Sequence, residues 1–144
     1  MMTRFADKEK NLDRAALVLR IVLGAVFIAH GYQKVFGMGV LNVAGFFDTL
    51  GVPMAGIAGP FIAYLGLLGG VAILLGGFTR VIALLLACDM LGAIILVHAK
   101  GGFFAPKGIE LVFGIFGMAI ALVFLGAGAY SIDAMLARRG APTP

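Results

Sequence analysis

The chain opens on a polar stretch, MMTRFADKEKNLDR, and then turns apolar for most of its length, with short breaks rich in Gly and Pro. Four apolar runs stand out. The first, about Ala15–Val35, is close to the ~20 residues a helix needs to cross a bilayer. The others are about Gly59–Leu75, Val81–Ala99 and Ile109–Ala127. Residues 37–60, between the first two, hold Asp48, two prolines and several glycines, which argues against a span there. Val40, Val43, Phe46, Phe47 and Leu50 recur at helical spacing, so residues 40–50 are expected to form a short amphipathic helix at the interface. Asn11 or Asp13 is placed to cap the first helix. Gly76 and Gly77 read as the end of the second, with Arg80 in the tight turn that follows. Gly66 and Gly70 form a small-x-x-x-small pair suited to close helix contact.

The expected fold is therefore all-α: an integral membrane four-helix bundle over residues 15–136, after a polar tail (1–14) and before a mobile tail (137–144). Composition agrees. Of 144 residues 62% are hydrophobic and only 12% charged, about half the charge of a soluble domain, and the mean hydropathy is +1.09. The first run is too long for a signal-peptide core and no small-residue cleavage site follows it, so it is expected to be retained. The net charge of +4 does not signal nucleic acid, because the basic residues sit at helix ends and tails. Arg4, Lys8, Lys10, Arg14, Arg80, Arg138 and Arg139 fall on one side of the expected bundle; Lys34, Lys100 and Lys107 fall on the other. The positive-inside rule places both termini in the cytoplasm.

The polar residues inside the runs carry the candidate chemistry. Arg20 lies about 8 Å from the cytoplasmic start of the first span, and Asp89 about 12 Å from the start of the third. An Arg side chain bridges that difference, so Arg20 and Asp89 are expected to form a structural intramembrane pair. Arg20, Phe27, Gly31 and Lys34 share a stripe within roughly 80°, with His30 beside it. At the outer end His30, Gln33 and Lys34 close the first span, His98 closes the third and Glu110 opens the fourth. Together they offer an acid, a base and amide donors, enough to bind a polar headgroup such as a quinone carbonyl. His98 points about 180° from Asp89 on a straight helix, toward the turn rather than the interior. Of His30, His98 and Glu110, no two stand at i, i+3 or i, i+4, so no metal is expected. A b-type haem would need His30 and His98 at one depth and is not expected either. Cys88, the single cysteine, excludes an intramolecular disulfide and reads as an apolar filler. Phe27, Phe36, Phe46, Phe47, Phe61, Phe103 and Phe104 read as lipid-facing or interfacial.

LVLRIVLGAVFIAHGYQKVFG, GVP, LGGVAILLGGFTR, DMLGAIILVHAKGGFF, GIELVF and GAGAYSIDAML together resemble the DoxX family of small bacterial membrane proteins, over about Ala15–Leu136. The resemblance implies four transmembrane helices in the bacterial inner membrane. The family name comes from a subunit associated with a terminal quinol oxidase. One relative is linked to thiosulfate:quinone oxidoreduction, others to quinone or thiol stress, and distant ones act as cargo receptors. The matching positions are Arg20, His30, Gln33 and Lys34, then Arg80, Asp89, His98 and Glu110. Where members often carry a Glu in the second span, this chain has Gly66, which leaves Glu110 as the expected outer carboxylate.

Two functions are then weighed. The first is a quinone-associated redox component working with a partner protein or as a homo-oligomer, since no Cys pair or nucleotide fingerprint makes this chain an electron carrier. The second is a non-catalytic scaffold or carrier that binds lipid or partner helices. Solute transport would need a dimer to provide a path.

Overall fold

The computed structural model of the protein describes residues 2–140. Among these residues the chain is entirely helical, with no strand. Helix α1 runs Met2–Tyr32 and continues as a π-helical segment, Gln33–Gly39. A short helix α2, Val40–Thr49, follows where amphipathic spacing predicts it. Helix α3 (Ala55–Tyr64), a π-helical segment (Leu65–Gly69) and α4 (Gly70–Leu75) form one rod, Ala55–Leu75. Helix α5 (Thr79–Gly92) extends through a third π-helical segment (Ala93–His98) and a 3₁₀ turn to make a second rod, Thr79–Gly101. Both rods are long and apolar enough to cross a membrane. Helix α6, Glu110–Leu125, is apolar but shorter, and α7, Ile132–Arg139, closes the described chain.

The helices share one core, in which Leu23 and Phe27 of α1 meet Ile73, Leu86, Met90, Ile115 and Leu122. Helix α5 lies along α6, α2 folds back on α3, and α1 lies along the Leu65–Leu75 stretch. The last contact needs glycine. A Cβ on Gly24 would sit 2.9 Å from the Gly70 carbonyl oxygen, and one on Gly31 would overlap the backbone of Leu67. Gly66 and Gly70 thus serve the close approach expected of them, with α1 as their partner. Outside this core the surface is greasy: Val18, Ile57, Leu68, Val81, Ile95 and Phe124 all face outward. A soluble bundle would bury such a shell; a lipid-embedded one presents it to acyl chains.

Several expectations are corrected at the chain ends. Residues 2–14 are not a separate tail but the first turns of α1, so neither Asn11 nor Asp13 is a cap. The Asp13 carboxylate instead accepts from the Ala129 amide at 2.8 Å, tying α1 to the loop before α7. Of the expected mobile tail, residues 137–139 belong to α7; residues 141–144 lie outside the described residues. Phe27 is core rather than lipid-facing.

Candidate functional site

Two polar centres sit at opposite ends of the bundle, and Arg20 belongs to only one. Its side chain is 2% exposed. Nε donates to the Ile73 carbonyl (2.9 Å), one terminal nitrogen to Leu74 (2.8 Å), and the other to Ala127 (2.9 Å) and Tyr130 (2.7 Å). Ile73 and Leu74 lie in the last turn of α4, where carbonyls are short of backbone donors (Ile73 has only the Gly76 amide, at 3.1 Å) and the helix dipole favours a cation. Gly76, at φ +74°, ends that helix in a left-handed cap as the sequence suggests. A Cβ there would strike Ser131 and the Arg20 guanidinium. The expected Arg20–Asp89 pair is not formed: backbone carbonyls take the bonds that a carboxylate was assigned.

The carboxylate nearest the Arg20 charge in effect is Asp133. Its two oxygens accept from the amides of Phe78 (2.7 Å) and Thr79 (2.9 Å), the N-terminus of α5. Partial burial pushes this carboxyl up, but the two amides and the nearby Arg20 charge outweigh it and hold it below the usual carboxylate range. Ser131 caps α7, accepting from Ala134 at 3.1 Å. An open cavity of about 340 Å³ beside Arg80 and Asp133 completes this end.

The second centre is a larger cavity, about 540 Å³, at the other end. His30, Lys34, Asp89 and His98 line it, along with Cys88; the rest of the wall is largely aliphatic and aromatic. Phe46, Phe47 and Phe61 belong to that wall, a role beyond plain lipid packing. Asp89 Oδ2 is buried and makes no hydrogen bond. Lys34 stands close enough for its charge to act on both Asp89 and His30.

The π-helical segments explain how these groups converge. A π segment inserts an extra residue into a turn, which rotates everything beyond it by about 100° relative to a straight α-helix. Ala93–His98 lies between Asp89 and His98, and His98 Nδ1 reaches back to the Ala93 carbonyl at 3.1 Å. The 180° offset expected from α-helical geometry is thereby reduced, and His98 lines the same cavity as Asp89. Lys34 and Met38 come from the π segment after α1, and Leu65 from the one in the Ala55–Leu75 rod. Single π turns are frequent at functional sites; here three, from three different helices, surround one cavity.

Not every expected residue is there. Gln33 does not line the cavity. Nor does Glu110, whose carboxylate accepts from the Ala105 amide at 3.0 Å and so braces the turn before α6. The cavity's carboxylate is Asp89. Among the described residues no group of three His, Cys, Asp or Glu side chains could hold a metal ion.

The DoxX family model matches residues 15–99, more than half of the chain. The chain belongs to the DoxX family. It is a membrane protein, and the matched stretch contains Arg20 and all four ionisable residues of the large cavity. An uncharacterized membrane protein of Mycobacterium tuberculosis is 32% identical over 87% of this chain and 83% of its own length. The inner membrane protein YqjF of Escherichia coli is 34% identical over 91% of this chain and 98% of its own. The Bacillus subtilis protein named "Putative oxidoreductase CatD" is 37% identical over 65% of this chain and 67% of its own. No solved structure matches.

Proposed function

We propose that this DoxX-family chain is a four-span inner-membrane protein, with both termini cytoplasmic, that binds the head of a quinone in the large cavity and passes electrons with the help of a partner. The observation that carries the reading is the convergence of His30, Lys34, Asp89 and His98 on an otherwise apolar cavity. Pockets for small cofactors are commonly of about 300–1,000 Å³, mostly apolar, with a few convergent polar groups. A quinone carbonyl needs donors, which Lys34 and a histidine N–H supply. A quinol hydroxyl needs an acceptor, which the unpartnered Asp89 oxygen supplies. The name of the CatD relative points the same way.

The orientation follows from charge. Arg14, Arg80, Arg138 and Arg139 belong to the Arg20 end and Lys100 and Lys107 to the cavity end, so the cavity faces the periplasmic half. The chain has one cysteine and no nucleotide fingerprint, so electrons come from a partner protein or a second copy.

Purification in mild detergent followed by solvent extraction and quinone titration tests the reading. Bound quinone in the native chain, lost in His30→Ala and Asp89→Asn at unchanged thermal stability, is the expected result. Absence of both co-purified and titratable quinone would leave the scaffold function in its place.

A further inference from the structure

The walls of the large cavity are not equally closed. Helix α1 is sealed against the Ala55–Leu75 rod by the Gly31 contact, α2 lies on α3, and α5 lies on α6. By contrast, α3 and α5 hardly touch. Phe61 on α3 and Leu85 and Cys88 on α5 line the cavity and are at the same time exposed on the outer surface; Leu96 continues the line further along the rod. The opening is therefore a slot between two rods, each of a length and composition that cross a bilayer. Cys88 lies about 14 Å along its rod from Thr79, near the middle of a hydrocarbon layer about 30 Å thick. A slot at that depth faces acyl chains, not water.

We infer that the cavity is loaded sideways from the bilayer. Its ligand is an amphiphile whose ring head meets His30, Lys34 and Asp89 while an isoprenoid-type tail leaves through the α3–α5 slot. The inference rests on the quinone reading and adds the route and the tail to it. Val43, Phe47, Ile62 and Leu65 also line the cavity. A tail-less head bonded to the ionisable groups would leave this apolar wall unfilled, and a tail covers it by ordinary hydrophobic burial. A water-soluble ligand, in turn, has no reason to approach a mouth of Phe and Leu side chains.

Cys88, the chain's single cysteine, reports on the slot without any mutation. The full chain in proteoliposomes is treated either with a membrane-soluble pyrene maleimide or with a charged, impermeant thiosulfonate from each side. The expected result is labelling by the first reagent only. Protection is then measured with decylubiquinone and with duroquinone, both fully substituted rings that do not add to thiols. Decylubiquinone is expected to slow labelling about tenfold and tail-less duroquinone less than about twofold at equal concentration. Labelling by the charged reagent at a comparable rate overturns sideways loading while leaving quinone binding intact. Equal protection by the two quinones overturns the role of the tail alone. If neither quinone protects and neither binds in a direct titration, the quinone reading falls, and the tail with it.

Discussion

Arg20 and Asp133 divide between them the two helix ends that meet at Gly76 and Gly77. The guanidinium takes the carbonyls of Ile73 and Leu74 at the end of α4; the carboxylate takes the amides of Phe78 and Thr79 at the start of α5. Each charge faces the dipole end that favours it, and the two charges attract one another. A turn with exposed backbone poles is thereby closed by two residues 113 positions apart in the chain (133 − 20).

Replacing Arg20 should be severe. Arg20→Leu takes the guanidinium away from four carbonyls, of which Ile73 keeps the Gly76 amide, and the expected loss is at least ~3 kcal/mol. Arg20→Lys should recover little of this, because an ammonium cannot span the carbonyls of α4 and those of Ala127 and Tyr130 at once. Thermal unfolding in detergent and abundance in the membrane fraction measure both. Wild-type melting of the leucine variant would contradict the assignment.

Asp133 gives a pH signature. Its folded carboxyl titrates below the unfolded one, so its contribution is complete above about pH 4, where the unfolded carboxyl is ionised. It fades as the pH falls below that value through the folded one. Asp133→Ala should cost about 1 kcal/mol near neutrality, as for the loss of a helix cap. The melting curves of the two proteins should then converge in acid. A gap that stays constant with pH means the carboxylate charge is not what holds the start of α5.

Glycine positions should separate sharply into two classes. Gly31→Val drives a side chain into the Leu67 backbone and should split α1 from the Ala55–Leu75 rod, costing ~3 kcal/mol or more. Gly114→Val and Gly117→Val meet nothing within 4 Å and should accumulate normally. Comparing membrane-extracted yields of the three variants decides this.

Asp89 and Glu110 should differ in kind. Asp89→Asn is expected to weaken quinone binding about tenfold without lowering the melting temperature, since it changes a group that has no hydrogen bond to lose. Glu110→Ala should leave binding unchanged and loosen the turn that its bond to Ala105 braces, visible as faster amide exchange at residues 102–109.

The two long apolar rods, the short helix after α1 and the glycine contacts were legible because hydropathy and residue size report directly on burial. The Arg20–Asp89 pairing was misread for a definable reason. Sequence displays charged side chains but not unpaired backbone carbonyls, and Arg20 is satisfied by the second kind of partner. His98 was aimed wrongly because a fixed 100° per residue was carried through Ala93–His98, and nothing in AIILVH marks a π turn. The anchoring role of Asp133 did leave a trace. Ser131 with an acidic residue two positions on and Arg138 and Arg139 two turns later is a helix start and stop, obscured by drawing the boundary between bundle and tail at residue 136.

The bonding of Arg20 also sets an order of events in biosynthesis. This cation emerges in the first apolar helix, yet two of its acceptors, Ala127 and Tyr130, are made 107 and 110 residues later. At about 5–20 residues per second the ribosome needs roughly 5–20 s to supply them. Throughout that interval the nascent helix holds an ionised group with nowhere permanent to put it, and stays dependent on water, headgroups or the insertion machinery. The last loop to be translated is thus the one that lets the first helix settle.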